Sequence, residues 1–189
     1  MATALVAALM LLTATGPASE AAIVIDDGED GFSVDASWSD NNSISGAFRN
    51  DLRFVSDGGG TFATWSFTGL DEGLYDVLAT WRPQSNRSTA APFLVEGRTA
   101  PVNQRLDPAP DVLINDGTGV VFDFQRLDRV AISADGGSIT VQLSDDDSTD
   151  GNSYVIADAV AVVLVPEPST FALGLGGAGF ALVRRRRAV

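Results

Sequence analysis

Between residues 23 and 165 apolar and polar positions alternate with a period of two, in short runs separated by Gly- and Asp-rich turns. Ala63, Trp65 and Phe67 fall on one side of such a run, while Thr64, Ser66 and Thr68 fall on the other. Tyr75, Val77, Ala79 and Trp81 make a second apolar face, and Ile139, Val141 and Leu143 a third. Successive side chains of a strand point to opposite sides, so this pattern predicts strands with one covered face. Tyr154 to Val165 is apolar at both parities apart from Asp158, which predicts a central strand covered on both faces. A carboxylate inside such a strand must be hydrogen-bonded or coordinated, and a structural role bonding turn amides is expected of Asp158. Asp57-Gly58-Gly59-Gly60, Asp71-Glu72-Gly73 and Asp135-Gly136-Gly137 are turn formers, since Gly supplies positive φ and Asp bonds its own backbone. With no amphipathic helix and no internal repeat between them, these runs predict an all-β domain, a single antiparallel, jelly-roll-like β-sandwich.

The two ends break the pattern. Residues 1–22 open with Ala4-Leu5-Val6-Ala7-Ala8-Leu9-Met10-Leu11-Leu12, followed by Gly16-Pro17-Ala18 and small residues. An apolar run too short to span a bilayer, then a break and small residues, predicts a helical secretory signal. Residues 166–189 begin with Pro166-Glu167-Pro168, which ends any preceding strand because proline cannot donate to a ladder. An uncharged stretch, Phe171 to Val183, and then Arg184, Arg185, Arg186 and Arg187 follow. Such a stretch makes about 20 Å of helix against a hydrocarbon core of about 30 Å, and the arginines suit the cytoplasmic headgroups. Together these features resemble a PEP-CTERM sorting signal. The resemblance implies a temporary membrane hold, cut near Pro166-Glu167-Pro168 by an exosortase-type transpeptidase, and release to the cell surface or extracellular matrix.

Composition narrows the chemistry of residues 23–165. The 189-residue chain has no Cys, His or Lys and a formal net charge of −13. Within residues 23–165, 23 acidic residues against 8 arginines give −15. That charge repels phosphate backbones, so nucleic acid is not an expected partner. Without Cys, His or Lys there is no thiolate metal site, Ser-His triad or Schiff base. Carboxylate pairs for glycoside hydrolysis exist in abundance, but no pair stands out, and a non-catalytic protein is expected.

The order of phrases along the domain carries a second resemblance. Ile25-Asp26-Asp27-Gly28, Ser37-Trp38-Ser39, Ala63-Thr64-Trp65-Ser66-Phe67 and Gly73-Leu74-Tyr75-Asp76-Val77 come first. Val102-Asn103-Gln104, Ile139-Thr140-Val141-Gln142-Leu143 and Tyr154-Val155-Ile156-Ala157-Asp158 follow. The succession resembles the golvesin C-terminal / xanthan-lyase-associated domain, which implies a sandwich similar to carbohydrate-binding modules on exported proteins. Where that family has a Trp-x-x-Leu-Gly step, this chain has Phe124-Gln125-Arg126-Leu127-Asp128. Phe replaces a core Trp tolerably, whereas a ligand face built on that Trp is altered here.

Sugar recognition on a sandwich uses aromatic rings flanked by carboxylate, amide or guanidinium groups. Trp65 and Tyr75 sit on period-two apolar faces and are expected in the core. Trp38 and Trp81 have polar, loop-like neighbours and, with Arg82 and Asn86, are the candidate ligand contacts. Arg82 and Arg87 are otherwise expected to pair with the acidic surface. Two acidic runs, around Asp26-Asp27 and Asp145-Asp146-Asp147, offer hard oxygens that suit Ca²⁺ outside the cell, and solvated turns are their simpler reading. A structural Ca²⁺ on Asp26, Asp27, Asp145 and Asp147 is thus the one cofactor to weigh. Two functions stand beside each other: binding of extracellular polysaccharide, and a structural component of matrix or surface with no small-ligand site.

Overall fold

Two-residue periodicity resolves into two stacked antiparallel sheets whose facing sides carry the alternating apolar positions. The computed structural model describes residues 22–56, 58–146 and 153–166. One sheet has the order β1 (Ile23–Ile25), β13 (Val160–Leu164), β6 (Gly73–Ala79), β10 (Val121–Ile132), β9 (Val112–Asn115). The facing sheet runs β2 (Phe32–Val34), β5 (Phe62–Leu70), β11 (Gly137–Ser144), β7 (Ala91–Val95), β8 (Arg98–Val102). A smaller third sheet runs β12 (Tyr154–Ala157), β4 (Leu52–Ser56), β3 (Ser39–Asn41). All strand pairings within these sheets are antiparallel, so the jelly-roll-like all-β sandwich expected from the sequence is the fold. The helices expected within residues 1–22 and 166–189 lie outside the described residues, as do Glu167, Pro168, Arg184 to Arg187 and Asp147.

The three predicted faces meet in one core. Ala63, Trp65 and Phe67 of β5 and Ile139, Val141 and Leu143 of β11 are buried against Tyr75, Val77 and Ala79 of β6. Trp65 anchors the contact, stacked on Phe93 at 6.1 Å between centroids and tilted against Phe32 at 5.2 Å. Rings of this size bury large apolar areas, and their offset geometry adds to the burial itself. The first sheet is also covered on its outer side, where Leu78, Phe124 and Ala161 pack under Phe48. Phe48 opens a short 3₁₀ turn, Phe48–Asn50, and meets Phe124 edge to face at 5.6 Å. Phe124 is therefore a core ring here.

Residues 154–165 differ from the single central strand that their pattern predicts. They form two strands in two sheets. β12 pairs with β4 from Tyr154↔Ser56 to Ala157↔Arg53, whereas β13 lies between β1 and β6. Asp158 and Ala159 make the crossover, held by Thr80 N–H donating to the Ala159 carbonyl at 3.0 Å. Burial on both faces, which the pattern registered, is achieved by changing sheets.

The free edge of β12 is finished by a side chain. Gln104, fully buried, donates from Nε2 to the Ile156 carbonyl at 2.7 Å and accepts from the Ile156 N–H at 2.9 Å. It thereby satisfies both backbone groups of a buried residue as a neighbouring strand would. Ser88 N–H donates to the Tyr154 carbonyl at 2.9 Å, and Tyr154 N–H donates to the Asn86 carbonyl at 3.0 Å. These bonds dock the connection between β6 and β7 against β12, and that docking creates the cavity described next.

Candidate functional site

A cavity of about 360 Å³ opens between the small sheet and the β6–β7 connection. Phe54 of β4 and Tyr154 of β12 form part of its wall, their rings edge to face with centroids 5.8 Å apart. They are diagonal neighbours across the β4–β12 pair, close enough for aromatic side chains to meet. Arg82, Gln84, Asn86 and Arg87 of the connection also line it. Their frame is fixed: Arg87 N–H donates to the Gln84 carbonyl, and Gln84 N–H to the Gln104 carbonyl. A backbone held in this way needs little further ordering to take a ligand.

The cations of this cavity are treated differently from those elsewhere. Arg82 donates from Nε to the Ser45 carbonyl at 2.8 Å and from a terminal nitrogen to Gln84 Oε1 at 3.3 Å, both neutral acceptors. Arg87 is 6 % exposed, and its Nε has no hydrogen-bond partner. Burial pushes the Arg87 pKa down, the Arg82 charge adds to that, and Tyr154 opposes it. The sequence expects both arginines to pair with the acidic surface; among the described residues neither makes an ion pair with a carboxylate.

Arg82 and Asn86 thus come together as the sequence suggested, but the two tryptophans do not join them as ligand rings. Trp38 is 6 % exposed and Trp81 3 %, and both belong to the main core. Trp81 spends its indole N–H on the Leu106 carbonyl at 2.9 Å. Their polar sequence neighbours marked strand ends, where a ring turns inward while the chain beside it faces water. Phe54 and Tyr154 went unnoticed because they lie in runs whose parity also supplies core residues.

The acidic runs separate as well. Asp145 closes a turn: its carboxylate accepts from Thr61 N–H at 2.8 Å and from the Thr61 hydroxyl at 2.6 Å. A Cβ at Gly59 would stand 2.6 Å from Asp145 Oδ2, so a side chain there would displace this carboxylate. With its oxygens engaged, Asp145 is a turn lock and does not join Asp26 and Asp27. Those two converge instead with Asp158, one carboxylate oxygen from each lying within 4.8 Å of the others. All three are buried. Asp158 accepts from the Phe48 N–H at 3.1 Å, which is the turn-amide role expected of it. Asp26 Oδ1 accepts from Asp27 N–H, Arg49 approaches Asp26, and Arg53 Nε stands 3.2 Å from Asp27 Oδ2. Asp27 Oδ1 is buried with no hydrogen-bond partner, and so is Asp51 Oδ1 close by. Orphaned hard oxygens in a buried carboxylate seam are the donor set that a divalent cation such as Ca²⁺ takes.

Comparison with known proteins places the fold. The family model of the Golvesin C-terminal domain matches residues 23–164. No curated protein matches the chain significantly. Among solved structures, a Paenibacillus xanthan lyase is similar at 24 % identity and a TM-score of 0.58, over 78 % of this chain and 13 % of the lyase. A Podospora anserina GH26-CBM35 β-(1,4)-mannanase is similar at 15 % identity and a TM-score of 0.54, over 79 % of this chain and 29 % of the enzyme. CBM35 from Cellvibrio japonicus Abf62 is similar at 15 % identity and a TM-score of 0.50, over 76 % of this chain and 93 % of that module. The chain spans less than a third of the two enzymes it matches, and at these identities the likeness is one of fold.

The carboxylate seam predicts a pH dependence. Asp26 is pushed up to about 8 by burial first and by the Asp51 and Asp27 charges next. Asp27 is pushed up to about 7 by burial and then Asp51, while Arg53 opposes the shift. Asp158 lies well above the carboxylate range, by burial and then by the Asp26 and Asp27 charges. A carboxyl whose folded pKa exceeds its unfolded value holds a proton that the unfolded chain has released. Its stabilising contribution is complete below about pH 4 and is lost as pH rises towards 7 and 8. With chelator present, the melting temperature of the chain should fall between pH 5 and 8, and Asp26→Asn should flatten the fall relative to Asp107→Asn. A melting temperature that is constant or rises over that range would refute the protonated seam.

Proposed function

The chain belongs to the Golvesin C-terminal domain family, and from that premise we propose that it is a non-catalytic protein of the cell exterior that binds extracellular polysaccharide in the cavity beside Tyr154. The observation that carries this reading is the pairing of the Phe54 and Tyr154 rings with Arg82, Asn86 and Arg87 on one braced frame. Apolar ring surface beside a few fixed polar groups is what a pyranose, apolar on its faces and hydroxylated at its rim, requires. The xanthan lyase, the mannanase and the CBM35 that share the fold support the reading by their own names. Retention of the full chain on a panel of neutral and acidic polysaccharides tests it. Tyr154→Ala should weaken binding roughly threefold to tenfold, the worth of one aromatic contact, and the exposed Asn86→Ala should also weaken it at unchanged melting temperature. Retention on no member of the panel would favour a structural component of the matrix instead.

The reading includes a structural cation. Asp26, Asp27 and Asp158 would hold Ca²⁺, whose charge would offset the mutual repulsion of buried carboxylates and give Asp27 Oδ1 a partner. At Ca²⁺ a hundredfold above its dissociation constant, binding to the folded state alone adds about 2.7 kcal/mol, or roughly 5–10 °C in melting temperature for a domain of this size. Asp27→Asn should abolish that rise. A melting temperature equal in CaCl₂ and in chelator at neutral pH would exclude the cation.

The terminal segments supply the location. The apolar run at Ala4 to Leu12 supports export, and Pro166-Glu167-Pro168 with Arg184 to Arg187 supports a temporary membrane hold and exosortase-type cleavage. Intact mass of the protein recovered from its own cells reads both ends: a product still carrying residues 1–22 and 169–189 would contradict this processing.

A further inference from the structure

Charge within the cavity carries the reading further. Acidic residues outnumber arginines 23 to 8 over residues 23–165, so a carboxylate partner is available to almost any arginine. Arg49, Arg53, Arg98, Arg126 and Arg129 each stand within ion-pair distance of one. Arg82 and Arg87, which have none among the described residues, line the same cavity. Two like charges are thus set side by side, one of them nine-tenths buried with an orphaned Nε, in a protein otherwise rich in counter-charge. Burying an unpaired cation is costly, and a like neighbour raises the cost. Neutral acceptors at Ser45 and Gln84 orient Arg82 without neutralising it. An anion entering the cavity relieves both charges at once.

The form of that anion follows from the rest of the wall. A space of about 360 Å³ bounded by two aromatic rings is large for a bare ion and suits one sugar residue. The guanidinium fork matches a carboxylate in two parallel hydrogen bonds. The domain's net negative charge disfavours indiscriminate attraction of polyanions, so an acidic glycan must be taken through this local positive spot. We propose that the cavity selects sugar residues bearing a carboxylate, with Arg87 and Arg82 receiving the carboxylate while Phe54 and Tyr154 meet the ring. The inference rests on the polysaccharide reading of the same cavity and names its ligand class.

Titration calorimetry on the full chain tests it with oligomers of galacturonate, glucuronate and mannuronate. Each is compared with its own carboxyl-reduced form, in which –COO⁻ has become –CH₂OH. At least one acid form should bind tenfold or more tightly than its reduced form, since hydrogen bonds to a charged group are worth about 1.5–3 kcal/mol. Arg87→Gln should bring the affinities for the acid and reduced forms together, and Arg82→Gln, less buried, should narrow the difference at unchanged melting temperature. Equal affinity for acid and reduced forms would overturn carboxylate selection and leave the polysaccharide site standing. Sulfated dextran bound as tightly as the uronates would overturn it in favour of a general anion site. No binding of any acid, reduced or neutral saccharide would overturn both.

Discussion

Asp158 is 2 % exposed at the crossover between two sheets, and among the described residues one backbone amide, that of Phe48, donates to its carboxylate. A buried carboxylate needs such donors, so the Phe48 N–H has to be presented at this spot whatever else the chain does. That requirement explains the tight turn around it, where Arg49 and Asn50 adopt positive φ. It also fixes Phe48, whose ring then covers the outer side of the first sheet against Phe124 and Phe122. Asp26 and Asp27, just after β1, bring two more carboxylates to the same seam, where Arg49 approaches Asp26 and Arg53 approaches Asp27. The tight turn and the second core are therefore tied to the place where these carboxyl groups are buried.

The cavity grows from the same crossover. Because the chain leaves the small sheet at Asp158, β12 is only four residues long and has one strand partner, β4. Its other edge must be satisfied by something else, and Gln104, Asn86 and Ser88 do so. The connection carrying Arg82 and Arg87 is thereby drawn over the ring of Tyr154. β4 joins the two places directly: Arg53 reaches Asp27 and also contacts Asp40, while the next residue, Phe54, forms part of the cavity wall.

How far the sequence disclosed this depends on which signal was read. Period-two alternation identified β5, β6 and β11 and their inward faces, because a sandwich core is built from that parity. Alternation has no means of showing a change of sheet, so Tyr154 to Val165 read as one strand; the lone charge at Asp158 was the clue to the break. Composition around Trp38 and Trp81 misled for a related reason. A polar neighbour reports the exposure of its own position, whereas Trp81 points inward to a carbonyl 25 residues further along. Asp145 and Asp26 look alike as acidic runs, and only the fold decides that one carboxylate meets the donors of Thr61 while the other meets carboxylates. Arg82 and Asn86 were singled out because their loop is polar throughout, and the fold sets both in the wall of one cavity.

All three tryptophans are in the core, and this shapes the kind of recognition the cavity is able to offer. Trp presents the largest ring for stacking on a sugar; Phe54 and Tyr154 are smaller, and edge-to-face contact between them turns part of their surface towards each other. Stacking alone then gives modest affinity and little discrimination, since every pyranose has an apolar face. On the proposed reading discrimination comes from the polar side of the wall, where two arginines with no counter-charge among the described residues stand on a backbone held by hydrogen bonds. In so acidic a domain, leaving those two charges open costs stability, and that cost falls on the free protein. On the proposed reading it is returned when a carboxylate-bearing sugar arrives, so that a weak aromatic shelf acquires selectivity from charge.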